Sequence, residues 1–213
     1  MDALKHALIN KLLKMKILKR ICLMIIILFL PGLLASQTIM GEVETDPGKE
    51  KYKVNTVVYI ENVEAHFDVP EKNPVMNQKE LKFLPKVLPI VVGSTVDFLN
   101  SDDVLHNVFS PDPCANKFNL GTWKKGEIRS VRYDKIECVS VLLCNVHPEM
   151  EAYVIVLQNP FFAITNEEGE FIIENVPPGT YNLKVWNEKL EAIAKQITVG
   201  EAGEVFVNFY LKR

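Results

Sequence analysis

V-S-V-L-L-C-N-V-H-P-E-M-E-A-Y-V-I-V-L, residues 139–157, is the stretch on which the fold turns. Its two ends, 139–143 and 152–157, are runs of aliphatic, β-branched and aromatic residues, the composition of strands. Between them lies the heptad Cys144–Met150, which places a thiol, an imidazole and a thioether in one short loop. Pro148 stiffens that loop and removes one backbone N–H.

Outward from this stretch the same texture recurs. Short runs rich in Val, Ile, Phe and Tyr occupy 54–60, 87–92, 94–99, 130–133, 170–173, 181–186 and 205–211. Turn residues separate them, as at Asp46-Pro47-Gly48, Gly93-Ser94, Glu168-Gly169, Pro177-Pro178-Gly179 and Gly200-Glu201. Many short strands at this spacing predict an all-β sandwich or barrel. The best helix candidate, 187–195, reads as a loop or a single turn.

A partner for the heptad stands upstream in D-D-V-L-H-N-V-F-S, 102–110, with His106 at its centre. One thiolate, two imidazoles and one thioether make a mixed soft set, the type that selects copper in a trigonal His₂Cys plane with a weak axial Met. Such a set suits both Cu(I) and Cu(II) with little ligand movement. The single cysteine in the loop argues against a binuclear copper centre. After residue 36 only His66, His106 and His147 remain, too few for the histidine clusters of a copper oxidase. Methionine is a poor zinc ligand, which disfavours structural zinc. His66 has no ligand spacing around it and reads as a structural or surface residue.

The stretch 82–110, K-F-L-P-K-V-L-P-I-V-V-G-S-T-V-D-F-L-N-S-D-D-V-L-H-N-V-F-S, followed by F-N-L-G (118–121) and C-x-x-H-P-x-M, resembles the cupredoxins, and among them the amicyanin and plastocyanin-like proteins. The resemblance covers about residues 74–158. It implies a Greek-key β-sandwich holding one type 1 copper ion (Cu) between His106, Cys144, His147 and Met150. In that scheme Cys144 is the short-bond thiolate and Met150 the axial ligand. Asn107 and Pro148 lie just behind the ligands, Asn107 with its backbone N–H toward the Cys144 sulfur and its side chain tying two loops together. The exposed ring edge of His147, rimmed by Leu105 and Pro148, would be the electron port. Leu142-Leu143 stands where an aromatic is common in plastocyanins, which weakens the case for an aromatic electron route.

A second resemblance covers 161–185. The turn T-x-x-x-G-x-F (Thr165, Gly169, Phe171) and V-P-P-G-x-Y (Val176, Pro177, Pro178, Gly179, Tyr181) are similar to carboxypeptidase-regulatory-like domains, small prealbumin/Ig-like β-sandwiches. Asn166–Gly169 is expected to close a hairpin, and Gly179 to supply a backbone conformation that other residues resist. Such domains open with a G-x-V strand and a second strand, both missing from 159–213. Gly41-Glu42-Val43 and V-V-Y-I (57–60) would provide them. The expected organisation is therefore a discontinuous sandwich, 37–66 with 159–213, into which a cupredoxin domain, 67–158, is inserted. The alternative is that 37–66 extends the middle domain. The joined layout looks like bacterial proteins labelled plastocyanin-like or methylamine-utilisation-like, a label that names no activity.

The N-terminus reads as a targeting segment. Lys5, Lys11, Lys14, Lys16, Lys19 and Arg20 precede an apolar run of 15 residues, Ile21–Ala35. That run is short against the roughly 20 residues of a membrane span, and small residues Ala35-Ser36 follow it. Residues 1–36 are therefore expected to be a signal peptide cleaved near Ala35–Gln37, with an uncleaved anchor as the alternative. Without them the chain keeps 18 basic and 26 acidic residues, a net charge of −8. No basic stretch with interleaved aromatics remains, so nucleic acid is not an expected partner. Export to the periplasm leaves three cysteines in an oxidising compartment. Cys114 and Cys138 are the candidate disulfide, or else a second, unpaired set, while a bridge from Cys144 to either would abolish the metal site.

Together these readings predict a one-electron carrier, not an enzyme, that serves a cytochrome or a periplasmic oxidoreductase. Copper storage or delivery, and a metal-free interaction module, are the competing readings.

Overall fold

Seventeen strands form among residues 37–212, those that the structure, a computed structural model, describes. The segment read as a leader or anchor lies outside them. The first six strands are β1 (Thr38–Thr45), β2 (Val57–Glu61), β3 (Val75–Lys79), β4 (Lys82–Leu84), β5 (Val87–Val91) and β6 (Thr95–Asn100). Next come β7 (His106–Ser110), β8 (Phe118–Trp123), β9 (Ile128–Arg132), β10 (Cys138–Leu143) and β11 (Glu151–Leu157). The last six are β12 (Phe162–Ile164), β13 (Glu170–Ile173), β14 (Gly179–Trp186), β15 (Ile193–Val199), β16 (Glu204–Phe206) and β17 (Phe209–Leu211). No α-helix forms among the described residues, and none there is long and apolar enough to cross a membrane. The fold class is all-β, as the strand texture implies.

The strands make four sheets. Sheet β4-β3-β6-β9 and sheet β5-β11-β10-β7-β8 enclose one core, in which Met76, Phe83, Val96, Phe98, Val108 and Trp123 are buried. Alternation sets this up: in β6, Val96, Phe98 and Asn100 are buried while Thr95, Asp97 and Leu99 are less so. Sheet β12-β2-β14-β15 and the sheet of β13, β1, β16 and β17 enclose a second core around Ile39, Val43, Phe171, Leu183 and Phe209. Strand β1 pairs with β13, β16 and β17, and β2 pairs with β12 and β14, so residues 38–61 are hydrogen-bonded to strands between 162 and 211.

Strand β11 shows why 152–157 has no polar alternation. Ala152, Val154 and Val156 face the first core, whereas Tyr153, Ile155 and Leu157 join Val57 and Val87 in a third apolar layer between the sandwiches. Both faces are covered, so both must be apolar. Full burial of such a side chain contributes about 1.5–3 kcal/mol, which makes β11 the strand the assembly can least lose. The two chain segments that cross between the sandwiches are tied side by side. Gln158 donates to the Val63 carbonyl (2.7 Å) and accepts from its N–H (3.1 Å), while Asn159 donates to Ile60 O (2.8 Å).

Three local expectations change. Asn166–Gly169 does form a tight turn, with Gly169 N–H donating to Asn166 O at 3.1 Å. The strands it joins, however, go to different sheets, β12 onto β2 and β13 onto β1, because each completes a different layer. Gly179 does not adopt a left-handed backbone; a Cβ there would lie 2.8 Å from the outer end of the Tyr181 ring, which would have to shift to admit it. The run 205–211 is two strands, since the chain breaks at Val207-Asn208 where it crosses Gly41.

Candidate metal centre

Register builds the site. In the β10–β11 ladder Leu143 pairs with Glu151, so residues 144–150 are closed into the connecting loop. Leu143 also pairs with Phe109 of β7, which brings the first residue of that strand, His106, toward the loop. Inside the loop the Met150 N–H donates to the His147 carbonyl at 3.0 Å, across exposed Pro148 and Glu149.

Three of the expected ligands converge. The donor atoms of His106, Cys144 and His147 all lie within 4.8 Å of one another. His106 Nδ1 is 3.1 Å from His147 Nδ1, and Cys144 Sγ is 3.9 Å from the same nitrogen. His106 is fully buried, Cys144 is buried as a free thiol, and His147 is half-buried. Met150 is buried in the same core as Cys144. The other two cysteines, Cys114 and Cys138, form a disulfide with Cα atoms 5.6 Å apart. His66 sits far out in solvent beside Asp68.

A carboxylate that the sequence leaves without an evident role sets the tautomer of His106. Asp102 Oδ2 lies 2.8 Å from His106 Nε2. A carboxylate only accepts, so Nε2 carries the proton and Nδ1 keeps its lone pair facing the cluster. Asp102 is itself anchored, accepting from the Glu80 N–H (2.8 Å) and the Leu81 N–H (3.1 Å) in the turn between β3 and β4. Both turn residues have positive φ, 57° and 56°, as a two-residue hairpin turn demands. Burial works to raise the Asp102 carboxyl, but the hydrogen bonds from Leu81, Glu80 and His106 outweigh it and hold it below the ordinary range.

Buried amides hold the same loop. Asn100 donates to Val104 O (2.9 Å) and Trp123 O (3.0 Å) and accepts from the Asp102 N–H (2.8 Å). Asn107 donates to Asn119 Oδ1 (2.8 Å) and Gly121 O (2.9 Å) and accepts from the Asn145 N–H (3.3 Å), so its side chain ties β8 to the ligand loop. Its carbonyl accepts from Gln78 at 3.1 Å. Among the described residues the hydrogen-bond contact of the Cys144 sulfur is with His147, and the expected Asn107 N–H is not one of its partners. The run N-S-D-D at 100–103 was the signal for Asn100 and Asp102; Gln78 had none beyond being polar in a strand.

The donor set fits a metal ion. Two imidazole nitrogens and a thiol sulfur, from two buried residues and one half-buried one, lie close enough together to share one ion. A β-sandwich with such a cluster at the end of one core is a candidate metal-binding protein of the all-β class. Residues 149–206 match the family model described as Polysaccharide lyase family 4, domain II. No curated protein matches the chain. Among solved structures, a reduced mutant of amicyanin is similar with 23% identity and a TM-score of 0.38, over 46% of this chain and 97% of that one. Amicyanin from Paracoccus versutus (Thiobacillus versutus) gives 22% identity and a TM-score of 0.37, over 46% and 96%. A copper-containing nitrite reductase from Thermus scotoductus SA-01 gives 26% identity and a TM-score of 0.39, over 46% of this chain but 25% of that one.

Proposed function

We propose that this chain is a type 1 copper protein that carries single electrons, its copper held by His106, Cys144 and His147 with Met150 as the axial ligand. The observation that carries the reading is the convergence of two imidazole nitrogens and one free thiol to within 4.8 Å of one another, in a chain whose other two cysteines in the described residues are bridged. Copper held by such donors supplies a one-electron couple between Cu(I) and Cu(II). The chain's own residues supply rigidity. Asp102 holds the His106 ring, Asn107 ties β8 to the loop, and the His147–Met150 bond closes it. A frame fixed this way changes little between two charge states of its guest, which keeps the barrier to electron transfer low. His147 reaches the surface, and Leu105 and Val146, beside the ligands in the chain, are exposed.

In the same reading the chain is a carrier and not an enzyme, and its partner is a cytochrome or a periplasmic oxidoreductase. Residues 1–36 are an export signal, or a tether if retained. The copper sandwich, 67–158, is inserted into a carboxypeptidase-regulatory-like sandwich made of 37–66 and 159–213.

The test is a visible spectrum of residues 37–213 after adding Cu(II). An intense thiolate-to-copper band that disappears in Cys144→Ser supports the proposal, as does reversible voltammetry. Colourless protein overturns it. Copper that passes readily to a chelator, with no reversible redox wave, turns the reading to metal delivery.

A further inference from the structure

The outer face of the second sandwich carries an apolar row that neither core uses. Register aligns Ile172 of β13, Met40 of β1 and Phe206 of β16 across three adjacent strands. All three side chains point away from the core: their neighbours Ile39, Phe171 and Ile173 are buried, while Phe206 is 71% and Ile172 57% exposed. The row lines an open groove of ≈ 370 Å³. Strands alternate, so the next outward positions are as easily identified. They are Glu42 opposite Glu170 on one side and Thr38 opposite Glu204 on the other, with Glu44 one step further. Of these, Glu42 has a cation nearby, Lys53 at 3.8 Å; Lys195, at the margin, is turned onto the Asn208 carbonyl and the Phe209 ring.

We infer that this face docks a basic protein segment that presents apolar side chains ringed by lysine or arginine. Charge decides among the occupants. A second copy related by a two-fold axis through the row would set glutamates against glutamates, which is destabilising. An anionic lipid surface is repelled for the same reason. A cationic rim around an apolar centre complements both features at once. The inference goes beyond the copper reading and does not depend on metal: it gives the second sandwich a role in holding a partner while the metal end stays free.

The probe is a peptide with a Leu-Phe-Leu centre and two lysines at each end, titrated into the purified, exported protein and followed by amide NMR shifts. Shifts confined to 38–44, 170–172 and 204–206, weakened by added salt, are expected with and without copper. Phe206→Ser should weaken binding about tenfold, the scale of losing a central apolar anchor. Glu42→Gln with Glu170→Gln should weaken it and flatten the salt dependence, with the fold unchanged by circular dichroism. Shifts spread over other acidic surfaces, binding unaffected by Phe206→Ser, a dimer that Phe206→Ser dissolves, or capture by anionic vesicles would each overturn the inference.

Discussion

Asp102 shows how much of the candidate metal site is decided by a residue outside its donor set. One carboxylate receives two backbone N–H groups from a tight turn and one N–H from a buried imidazole. It thereby fixes which nitrogen of His106 faces Cys144 and His147. Asp102→Asn keeps the shape but offers one acceptor oxygen in place of two, and an amide N–H₂ that must face either the turn or the ring. On the proposed copper reading, copper affinity should fall about 10- to 100-fold while circular dichroism stays unchanged, as read by competition with a chromophoric chelator. Affinity equal to the parent protein would show that the ring is held by packing alone. The candidate donors are visible in the sequence because their chemistry is concentrated: a thiol, an imidazole and a thioether fall within residues 144–150. Asp102 is legible only as part of the run N-S-D-D; its role is not, because the β3–β4 turn that it holds lies 21 and 22 residues earlier in the chain.

At the scale of the elements, legibility followed burial. Strands β10, β11 and β13 stand out in the sequence because at least one face is apolar along their length, and β6 because Val96 and Phe98 alternate with Thr95 and Asp97. Strand β4 is three residues long, too short for any period to register, and β15 exposes most of its residues. The break between β16 and β17 left no apolar gap to read, because Val207 and Phe209 both remain buried on either side of Asn208. Its cause lies across the sheet at Gly41. Strand β1 runs parallel to β16 up to Met40 and to β17 from Val43, and between them Val207 O approaches so closely that a Cβ on Gly41 would sit 1.9 Å away. The Val207 N–H donates to Met40 O at 2.9 Å and the Asn208 side chain accepts from the Glu42 N–H at 3.1 Å, so the crossing is tied to both neighbours of Gly41. Gly41→Ala should therefore cost about 3 kcal/mol or more, beyond the usual range for overpacking because backbone must move. Denaturant unfolding checks this, and a loss below about 1 kcal/mol would mean that the two parallel pairings are not rigidly coupled. Gly179→Ala meets a side chain instead, the Tyr181 ring, and should cost less.

At the scale of the molecule, two sandwiches share one apolar layer, and two tyrosines lie in or against it. Tyr153 packs on Trp186 with ring centroids 5.3 Å apart, and Tyr59 lines the same layer from β2. Burial raises the hydroxyl pKa of both; the carboxylates of Glu188 and Glu151 add to it at Tyr153. Lys184, bonded to Glu61 at 2.8 Å between β14 and β2, is raised as well, first by that hydrogen bond. The sign follows from proton counts. In the unfolded chain tyrosine and lysine lose their protons near pH 10 to 10.5, while in the folded chain these groups still hold theirs. The unfolded state then binds fewer protons, so stability falls as pH rises through that interval and is full below it. Thermal unfolding followed from neutrality to about pH 11 should stay level at first and drop above about pH 10. Tyr153→Phe combined with Tyr59→Phe should make the alkaline limb shallower, because the double variant has no hydroxyl to ionise in either state. If the limb kept its slope in that variant, the alkaline loss would belong to groups elsewhere, foremost the buried Tyr133, whose hydroxyl is also raised by burial.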